Sequence, residues 1–228
     1  MYVVCLNLKE VLVLKVRFKY EKNDLVKYVG HLDVMAMFDR VFRRSNIEIE
    51  FSQGFTKRSQ IIFALPSSVG VISLCEYFEV EMPNISKQDL PSIVEKLNKN
   101  LPLGFKIVEA IESASIASIM SRVTSAEYEF EILASNEEIQ KIQELFSEEK
   151  IYVQRVAKNE VAYDMNIRPY ILDMNVEKIE DGKVKIYANI KSGSKENLKP
   201  DYVIQAIEKA NIQINDYQII KTNVLLDN

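Results

Sequence analysis

The chain has 228 residues, of which 47% are hydrophobic and 27% charged, and its net charge is −4. This length allows one large domain or two domains of roughly 100 residues each, and the composition excludes long disorder. The mild negative charge gives no general affinity for nucleic acid, so any anion binding must come from a local basic surface.

The sequence offers little material for a transition-metal site. Cys5 and Cys75 are the two cysteines and form no C-x-x-C pair, and His31 is the single histidine. We therefore expect reduced thiols, no cofactor and no transition-metal site, with only a carboxylate-bound magnesium left open. The apolar start is interrupted by Lys9 and Glu10 and lacks a signal-peptide pattern, so we expect a cytoplasmic protein without a membrane span.

Hydrophobic patterns in the first half predict the order strand, helix, strands, helix, strand. Alternation over 11–20 predicts a strand, and apolar residues spaced by three and four over 30–45 predict a helix with one buried face. The later elements of this half are strands at 47–51, 60–66 and 75–82, a helix at 86–101 with Ser86 as N-cap, and a strand at 104–113. This is the ferredoxin-like order with one additional strand.

The second half repeats that order after a stretch of small residues at 113–121. Ser135 is expected to cap a helix, with Glu138 in the capping-box position, and Asp181-Gly182 predicts a hairpin. The elements are strands at 126–133, 151–156, 169–179, 183–190 and 216–226 and helices at 135–150 and 199–212. We therefore expect an α+β fold of two ferredoxin-like (βαββαβ-type) modules with antiparallel sheets, at 1–120 and 121–228.

A polar stripe runs along the first predicted helix. At 100° per residue, Asp33, Arg40 and Arg44 lie within about 20° of one line, and Asp39 and Arg43 form an i,i+4 pair beside them. One interpretation is a solvated face whose arginines favour the negative end of the helix dipole. The other is an anion-binding surface, because planar guanidinium donors fit phosphate and carboxylate groups.

Basic residues are concentrated around this helix. Between residues 15 and 58 there are ten Lys or Arg and six acidic residues, a local net charge of +4 against −8 for the rest of the chain. In the loop after the helix, Gly54 permits a tight turn, Gln53 offers hydrogen bonds, and Lys57 and Arg58 add charge. This loop can close over the arginine stripe, or it is an ordinary solvated turn.

His31 stands just inside the helix start, two residues before Asp33. Because the pKa of histidine suits proton transfer, the two residues are candidates for an acid/base pair. A capping or buried hydrogen-bonding role for His31 is the alternative. No G-x-S-x-G, P-loop or dinucleotide fingerprint accompanies them.

Several short motifs occur in the first half, namely VRFKY, GHLD, RVFRR, SQGF, FALP, GVIS and EYFEVEM. Together they resemble the family of radical-SAM-linked proteins, a bacterial domain of unknown function. Arg17 begins the R-F pair of its first strand motif, and Arg168 and Lys199-Pro200 match its weaker segments in the second half. The family has a Pro-His-Pro-type turn where this chain has Thr56, Lys57 and Arg58.

The resemblance implies a partner, because members of this family are found beside or fused to a cobalamin-binding radical S-adenosylmethionine (SAM) protein. It implies no activity for the chain itself. This chain lacks the cysteines that would hold an iron-sulfur cluster, so any radical chemistry would belong to the partner.

Three functions are therefore hypotheses. The first is a binding module for a phosphate-bearing ligand, above all structured RNA such as tRNA or rRNA, acting with a radical SAM partner. The second is a stand-alone enzyme that uses His31 and Asp33 as acid and base, and the third is a protein-interaction adaptor without nucleic acid. The predicted ligand-binding residues are Arg17, Arg40, Arg43, Arg44, Gln53, Gly54, Lys57, Arg58 and Arg168.

Overall fold

The structure is a computed structural model that describes residues 13–156, 162–180, 182–193 and 196–227. It is a mixed α/β fold with a largely antiparallel eight-stranded sheet. The α-helices of the described residues are α1 (His31–Arg44), α2 (Leu90–Asn100), α3 (Ile119–Arg122), α4 (Asn136–Ser147) and α5 (Asp201–Lys209). The strands are β1 (Val13–Lys22), β2 (Ile62–Ala64), β3 (Val71–Pro83), β4 (Phe105–Glu112), β5 (Val123–Leu133), β6 (Tyr152–Val156), β7 (Ala162–Asn166), β8 (Ile171–Glu180), β9 (Lys183–Lys191) and β10 (Asp216–Leu226).

The first half of the sheet is built around β1. Its even-numbered side chains are buried and pack with α1 and α2, because successive side chains of a strand point to opposite faces. β1 pairs with β3 on one side and β4 on the other, and β2 pairs with the far edge of β3, all antiparallel. The spatial order is therefore β4, β1, β3, β2.

The second half has the equivalent arrangement around β5. This strand pairs with β10 on one side and β9 on the other, and β8 lies beyond β9, all antiparallel. Its buried side chains pack with those of α4 and α5. The strands β6 and β7 form a separate two-stranded sheet between α4 and β8 in the chain.

A short parallel contact joins the two halves into one sheet. Ile219, Ile220 and Lys221 of β10 pair with Val71, Ile72 and Ser73 of β3. This contact uses the part of the β3 edge that β2 leaves free. One hydrophobic cluster lies within the first half, and the other is formed mainly by the second half but also includes Ala64, Val71 and Cys75 of the first.

The strand predicted at 47–51 does not form. Only Phe51 forms an isolated bridge there, with Ser59. The amide of Glu50 donates to the carbonyl of Glu81 at 2.9 Å, while β2 takes the next positions on the same edge of β3. The edge of β3 is thus divided between the segment at 50–51 and β2, so neither segment has room to form a long strand.

The strand predicted at 60–66 is confirmed only as the three residues of β2. Leu65 follows with φ +43°, in the left-handed region, and Pro66 has no amide hydrogen to donate. The strand predicted at 151–156 forms as β6, but it pairs with β7 outside the main sheet.

The helix caps largely agree with the sequence. Ser135 accepts a hydrogen bond from the amide of Glu138 at 3.3 Å. Ser86 forms a capping box with Asp89, but it caps the 3₁₀ turn Lys87–Asp89, and the N-cap of α2 is Asp89. The carboxylate of Glu138, however, accepts from the amide of Gln213 at 3.1 Å. The predicted box at Ser135 is therefore half formed.

Three predictions concern residues that lie outside the described part of the chain: the reduced thiol of Cys5, the start of the first strand at 11–12 and the turn residue Asp181. None of the helices in the described part of the chain is long and apolar enough to cross a lipid bilayer.

Candidate functional site

The arginine stripe of α1 lies on the face of the helix that points away from the sheet. Arg40 is exposed and has no hydrogen-bond or ion-pair partner among the described residues. Arg43 forms an ion pair with Asp39 at 3.0 Å, and Arg44 donates to the carbonyl of Asn100 at 2.9 Å. Two of the three guanidinium groups are therefore held at the C-terminal end of the helix.

The loop at 52–58 stands beside the same end of α1. The guanidinium carbon of Arg43 is 5.9 Å from the ring centre of Phe51, at the base of the loop. The amide of Ser52 donates to the carbonyl of Arg58 at 2.9 Å, and the amide of Arg58 donates to the Ser52 hydroxyl at 3.0 Å. The exposed residues of the loop are Gln53, Gly54, Phe55, Thr56, Lys57 and Arg58.

We call the five exposed bases at this end of the first half the basic surface, formed by Arg40, Arg43, Arg44, Lys57 and Arg58. Phe55 lies in the same loop as Lys57 and Arg58, and its side chain is fully exposed, with a relative accessibility of 110%. This surface can offer guanidinium donors to an anion and an aromatic ring to a planar group.

Arg17 lies elsewhere, in a buried ion-pair network. Its Nη2 is 2.8 Å from Oε1 of Glu79, whose side chain is 1% exposed. Lys15, the Ser113 hydroxyl and the amide of Ile119 donate to the same carboxylate. Burial raises the pKa of Glu79, but hydrogen bonds from Ser113, Arg17 and Lys15 outweigh it and hold that pKa below its usual value. The guanidinium of Arg17 therefore serves an internal carboxylate.

The structure places Arg168 apart from the basic surface. It lies in the short 3₁₀ turn Arg168–Tyr170 before β8, and its Nη1 donates to the carbonyl of Ile171 at 3.2 Å. β8 is four strands away from β3 in the sheet order, about 19 Å at the usual strand spacing. The predicted ligand-binding residues thus do not converge on one site.

His31 is the first residue of α1 and lies close to Phe63. The two rings meet edge to face, with 5.3 Å between their centres, and the Nδ1 atom of His31 is buried without a hydrogen-bond partner among the described residues. Burial lowers the pKa of His31, and the charge of Glu76 partly offsets this. No hydrogen bond joins His31 to the exposed Asp33 in the described residues, so the acid/base pair stays a prediction.

A row of buried polar side chains crosses the sheet beside His31. Lys22 of β1 pairs with Ser73 of β3, Ser73 pairs with Lys221 of β10, and Lys221 pairs with Tyr128 of β5. Their relative accessibilities are 3%, 0%, 0% and 5%. Two lysines therefore lie inside the protein where its halves join.

Glu76 is the buried acid of this region. Its Oε1 is 2.7 Å from Nζ of Lys221, and it also accepts a hydrogen bond from the hydroxyl of Ser67. Lys221 donates in addition to the carbonyl of Leu65 at 2.7 Å. We call Lys22, Ser67, Glu76 and Lys221, together with His31, the junction cluster.

The junction cluster was not predicted from the sequence, although one signal was present. In β1 the even-numbered side chains Val16, Phe18 and Tyr20 are buried, and Lys22 continues this series. In β3, Glu76 lies on the same buried face as Phe78. A charged residue in the buried phase of a strand predicts a buried charge. The partners of these charges could not be read from the pattern.

Cysteine and metal chemistry receive no support from the described residues. Cys75 is buried and free, and burial raises the pKa of its thiol to about 11, which disfavours the reactive thiolate. No group of three or more His, Cys, Asp or Glu side chains suitable for a metal ion occurs in the described part of the chain.

Two surface pockets of about 380 and 450 Å³ lie in the second half. The first is lined by residues of β5, β9 and β10 such as Lys185, and the second includes Thr124 and Lys191. Neither contains a predicted site residue. A third pocket of about 370 Å³ is lined by Arg17, Ser113 and Arg122, but the guanidinium of Arg17 is engaged by Glu79. The basic surface and the junction cluster are therefore the two sites considered below.

The comparisons with known proteins identify a family but no activity. A family model described as "Uncharacterized protein conserved in bacteria (DUF2344)" matches residues 15–200. No curated protein matches the sequence.

Solved structures resemble the chain only weakly. A chain of the crystal structure of a Cbf5-Nop10-Gar1 complex is 11% identical with a TM-score of 0.46, covering 91% of this chain and 49% of that one. This chain thus spans about half the length of that match. An unknown protein from Galdieria sulphuraria is 12% identical with a TM-score of 0.27, covering 92% and 99% of the two chains. Both scores lie below 0.5, so neither likeness supports a conclusion about function.

Proposed function

We propose that this chain binds structured RNA such as tRNA or rRNA. The chain belongs to the DUF2344 family of uncharacterized proteins conserved in bacteria. The basic surface at the C-terminal end of α1 would contact the RNA phosphates. The loop at 52–58 would contact an unpaired base. The chain as a whole is acidic, so binding would be confined to this surface.

The fully exposed ring of Phe55 is the observation that carries this proposal. A basic surface alone is also compatible with a solvated helix face. An exposed aromatic ring in the same loop as Lys57 and Arg58 suits an unpaired RNA base, because bases stack on aromatic rings while cations hold the phosphates.

We also propose that the chain consists of two ferredoxin-like modules, at 1–120 and 121–228. The strand orders β4, β1, β3, β2 and β10, β5, β9, β8 support this, because both place the first and third strands of the module in the centre. The first module would then present the RNA-binding surface, and the second would extend its sheet.

A radical SAM protein is the partner that we propose from the family resemblance. The two cysteines of this chain are too few to hold an iron-sulfur cluster of the radical SAM type. The chain would bind the RNA, and the partner would supply the chemistry. Co-purification of the two proteins that decreases after RNase treatment would support an RNA-centred complex, whereas RNase-independent co-purification would favour the adaptor hypothesis.

Salt-dependent binding of total tRNA tests the RNA proposal. We expect the logarithm of the affinity to fall linearly with the logarithm of the salt concentration, since binding to phosphates releases counterions. The double variant Arg40→Gln and Arg58→Gln should reduce the slope by about 0.7 to 0.9 for each phosphate that the variant no longer neutralises. Lys183→Gln, in the β8–β9 hairpin of the second half, is the matched control and should leave the slope unchanged.

Phe55→Ala separates stacking from charge. We expect binding to weaken by about 1 to 3 kcal/mol, the usual value for one stacked base, with the salt slope unchanged. The ring is fully exposed, so the variant should keep its stability. Affinity that responds neither to salt nor to these substitutions would contradict the proposal.

A further inference from the structure

The junction cluster has an unbalanced buried charge. Lys22 and Lys221 each carry an ammonium group that is at most 3% exposed, and Glu76 is the one carboxylate among them. The carboxylate is already engaged by Lys221 at 2.7 Å. Among the described residues, Lys22 is left with a single hydrogen bond, to the carbonyl of Val29 at 2.9 Å.

This imbalance is costly unless an anion accompanies it. A buried ammonium that has only a neutral partner loses more hydration than it regains, whereas a second negative charge would compensate it. Burial lowers the pKa of Lys22, an effect that Glu76 opposes and Lys221 reinforces. The cluster thus carries one positive charge for which the described residues provide no counterion.

A small cavity lies beside this charge. It has a volume of about 10 Å³ and is lined by residues that include Tyr20, Lys22, His31, Ser67 and Glu76. This is room for one water-sized atom or group. Its lining includes two donors, the Tyr20 hydroxyl and the Lys22 ammonium, and one carboxylate, that of Glu76, which Lys221 and Ser67 already engage.

The start of α1 adds further donors at the same place. Gly30 is the N-cap of the helix and provides no side-chain hydrogen bond to it. The first amides of a helix therefore stay available, and the helix dipole favours a negative charge there. The buried Nδ1 of His31, without a partner in the described part of the chain, lies in this first turn.

The opposite wall of the cavity is formed by a strained loop. Leu65 has φ +43°, a conformation that non-glycine residues rarely adopt. Its carbonyl accepts from Lys221, and two residues later Ser67 donates to Glu76. These hydrogen bonds hold the strained backbone in place, and such strain concentrates at functional sites.

We propose that the junction cluster binds the carboxylate group of a small monoanionic ligand, with one carboxylate oxygen in the cavity between Lys22 and His31. One negative charge would balance the two ammonium groups and the one carboxylate. The cavity of about 10 Å³ admits a single oxygen atom, and a planar carboxylate places one there with less bulk outside the cavity than a tetrahedral phosphate. The two lysines repel metal cations.

This site is separate from the proposed RNA-binding surface. α1 has 14 residues, so its two ends are about 20 Å apart at 1.5 Å per residue. The cavity lies at the N-terminal end and the basic surface at the C-terminal end. Failure of one proposal therefore leaves the other unaffected.

Titration of the full chain with sodium formate, followed by ¹H–¹⁵N NMR, tests the proposal. Sodium sulfate keeps the ionic strength constant and supplies a bulkier, tetrahedral anion for comparison. We expect saturable shifts of the amides of Val29, His31, Val34 and Ser67, because these residues line the cavity. Lys22→Met should weaken formate binding at least about tenfold, since it removes the buried charge of the pair.

Lys19→Met is the matched control. Lys19 lies on the same strand but on the opposite face from Tyr20, and this variant should bind formate like the wild-type chain. If Lys22→Met does not fold, the positions and the saturation of the amide shifts in the wild-type chain test the proposal. Shifts that are absent, that do not saturate, that sulfate reproduces, or that persist in a folded Lys22→Met variant would overturn the proposal.

Discussion

Two buried charged side chains on neighbouring strands have contrasting surroundings. The carboxylate of Glu79 accepts from Arg17, Ser113 and a backbone amide and pairs with Lys15, so each of its oxygens has a donor. Lys22 has one backbone carbonyl as its partner among the described residues. A fully satisfied buried charge is explained by stability, whereas one with a single neutral partner marks a candidate for binding.

The satisfied charge at Glu79 predicts a pH dependence of stability. Its pKa in the folded protein is lowered, so its contribution is present above the unfolded pKa of about 4.3 and is lost as the pH falls through the folded value. Glu79→Gln should lower the free energy of unfolding by about 3 kcal/mol at pH 7, because Arg17 and Lys15 lose their counterion. Urea unfolding between pH 3 and pH 7 measures both effects.

Glu81→Gln is the control for this prediction, since Glu81 lies on the same strand and is exposed. It should change stability little and keep the acid-induced decline. An equally steep decline in Glu79→Gln would show that other carboxylates cause it.

At the level of elements, the helices α1 and α5 end in the same way. Asn46 follows α1 with φ +51°, and Asn211 follows α5 with φ +58°. The next residue donates back into the last turn in both cases, from Ile47 to Phe42 and from Ile212 to Ile207. This is the Schellman motif, in which asparagine replaces the usual glycine.

Substitution of Asn46 tests this helix end. Asn46→Gly should raise the free energy of unfolding by up to about 1 kcal/mol, because glycine adopts positive φ without steric cost. Asn46→Ala should lower it by about 1 kcal/mol. Denaturant unfolding measures both, and Asn211 offers a second site where the same order of stability is expected. A glycine variant less stable than the alanine variant would contradict this account.

On the scale of the whole molecule, the β3–β10 contact decides whether the halves act together. Only three residue pairs form it, yet the buried row from Lys22 to Tyr128 crosses it. Ala64, Val71 and Cys75 of the first half also pack in the hydrophobic cluster of the second half. Separation of the halves would expose these apolar side chains and the buried lysines.

We therefore expect the full chain to unfold in one cooperative transition. Amide signals from β1 and β9 in ¹H–¹⁵N spectra should disappear with the same midpoint in urea, as two-state behaviour requires. A chain that ends at residue 122 should give a poorly dispersed spectrum, because it lacks the partner strand of Val71–Ser73. Two separate midpoints would mean that the halves fold independently.

The local pattern of the sequence predicted most elements correctly. Alternation predicted β1, helical spacing predicted α1, and Ser135 marked the start of α4, whereas Ser86 marked the 3₁₀ turn that precedes α2. These signals depend on residues within one or two turns of each other, so a single sequence contains them. The strand at 47–51 was predicted incorrectly because its pairing depends on a β3 edge that β2 also uses.

The two candidate sites differ in the same respect, since one depends on local sequence and the other on tertiary contacts. The sequence by itself determined the basic surface, because the arginine spacing of α1 and the charges of the 52–58 loop are local features. It also pointed to His31, but it could not determine what surrounds that ring. Only the tertiary structure brought Lys22, Glu76 and Lys221 together, and the bond from Lys221 to Leu65 joins residues 156 positions apart. Such a cluster arises from strand pairing across the two halves, and no pattern within a single element predicts it.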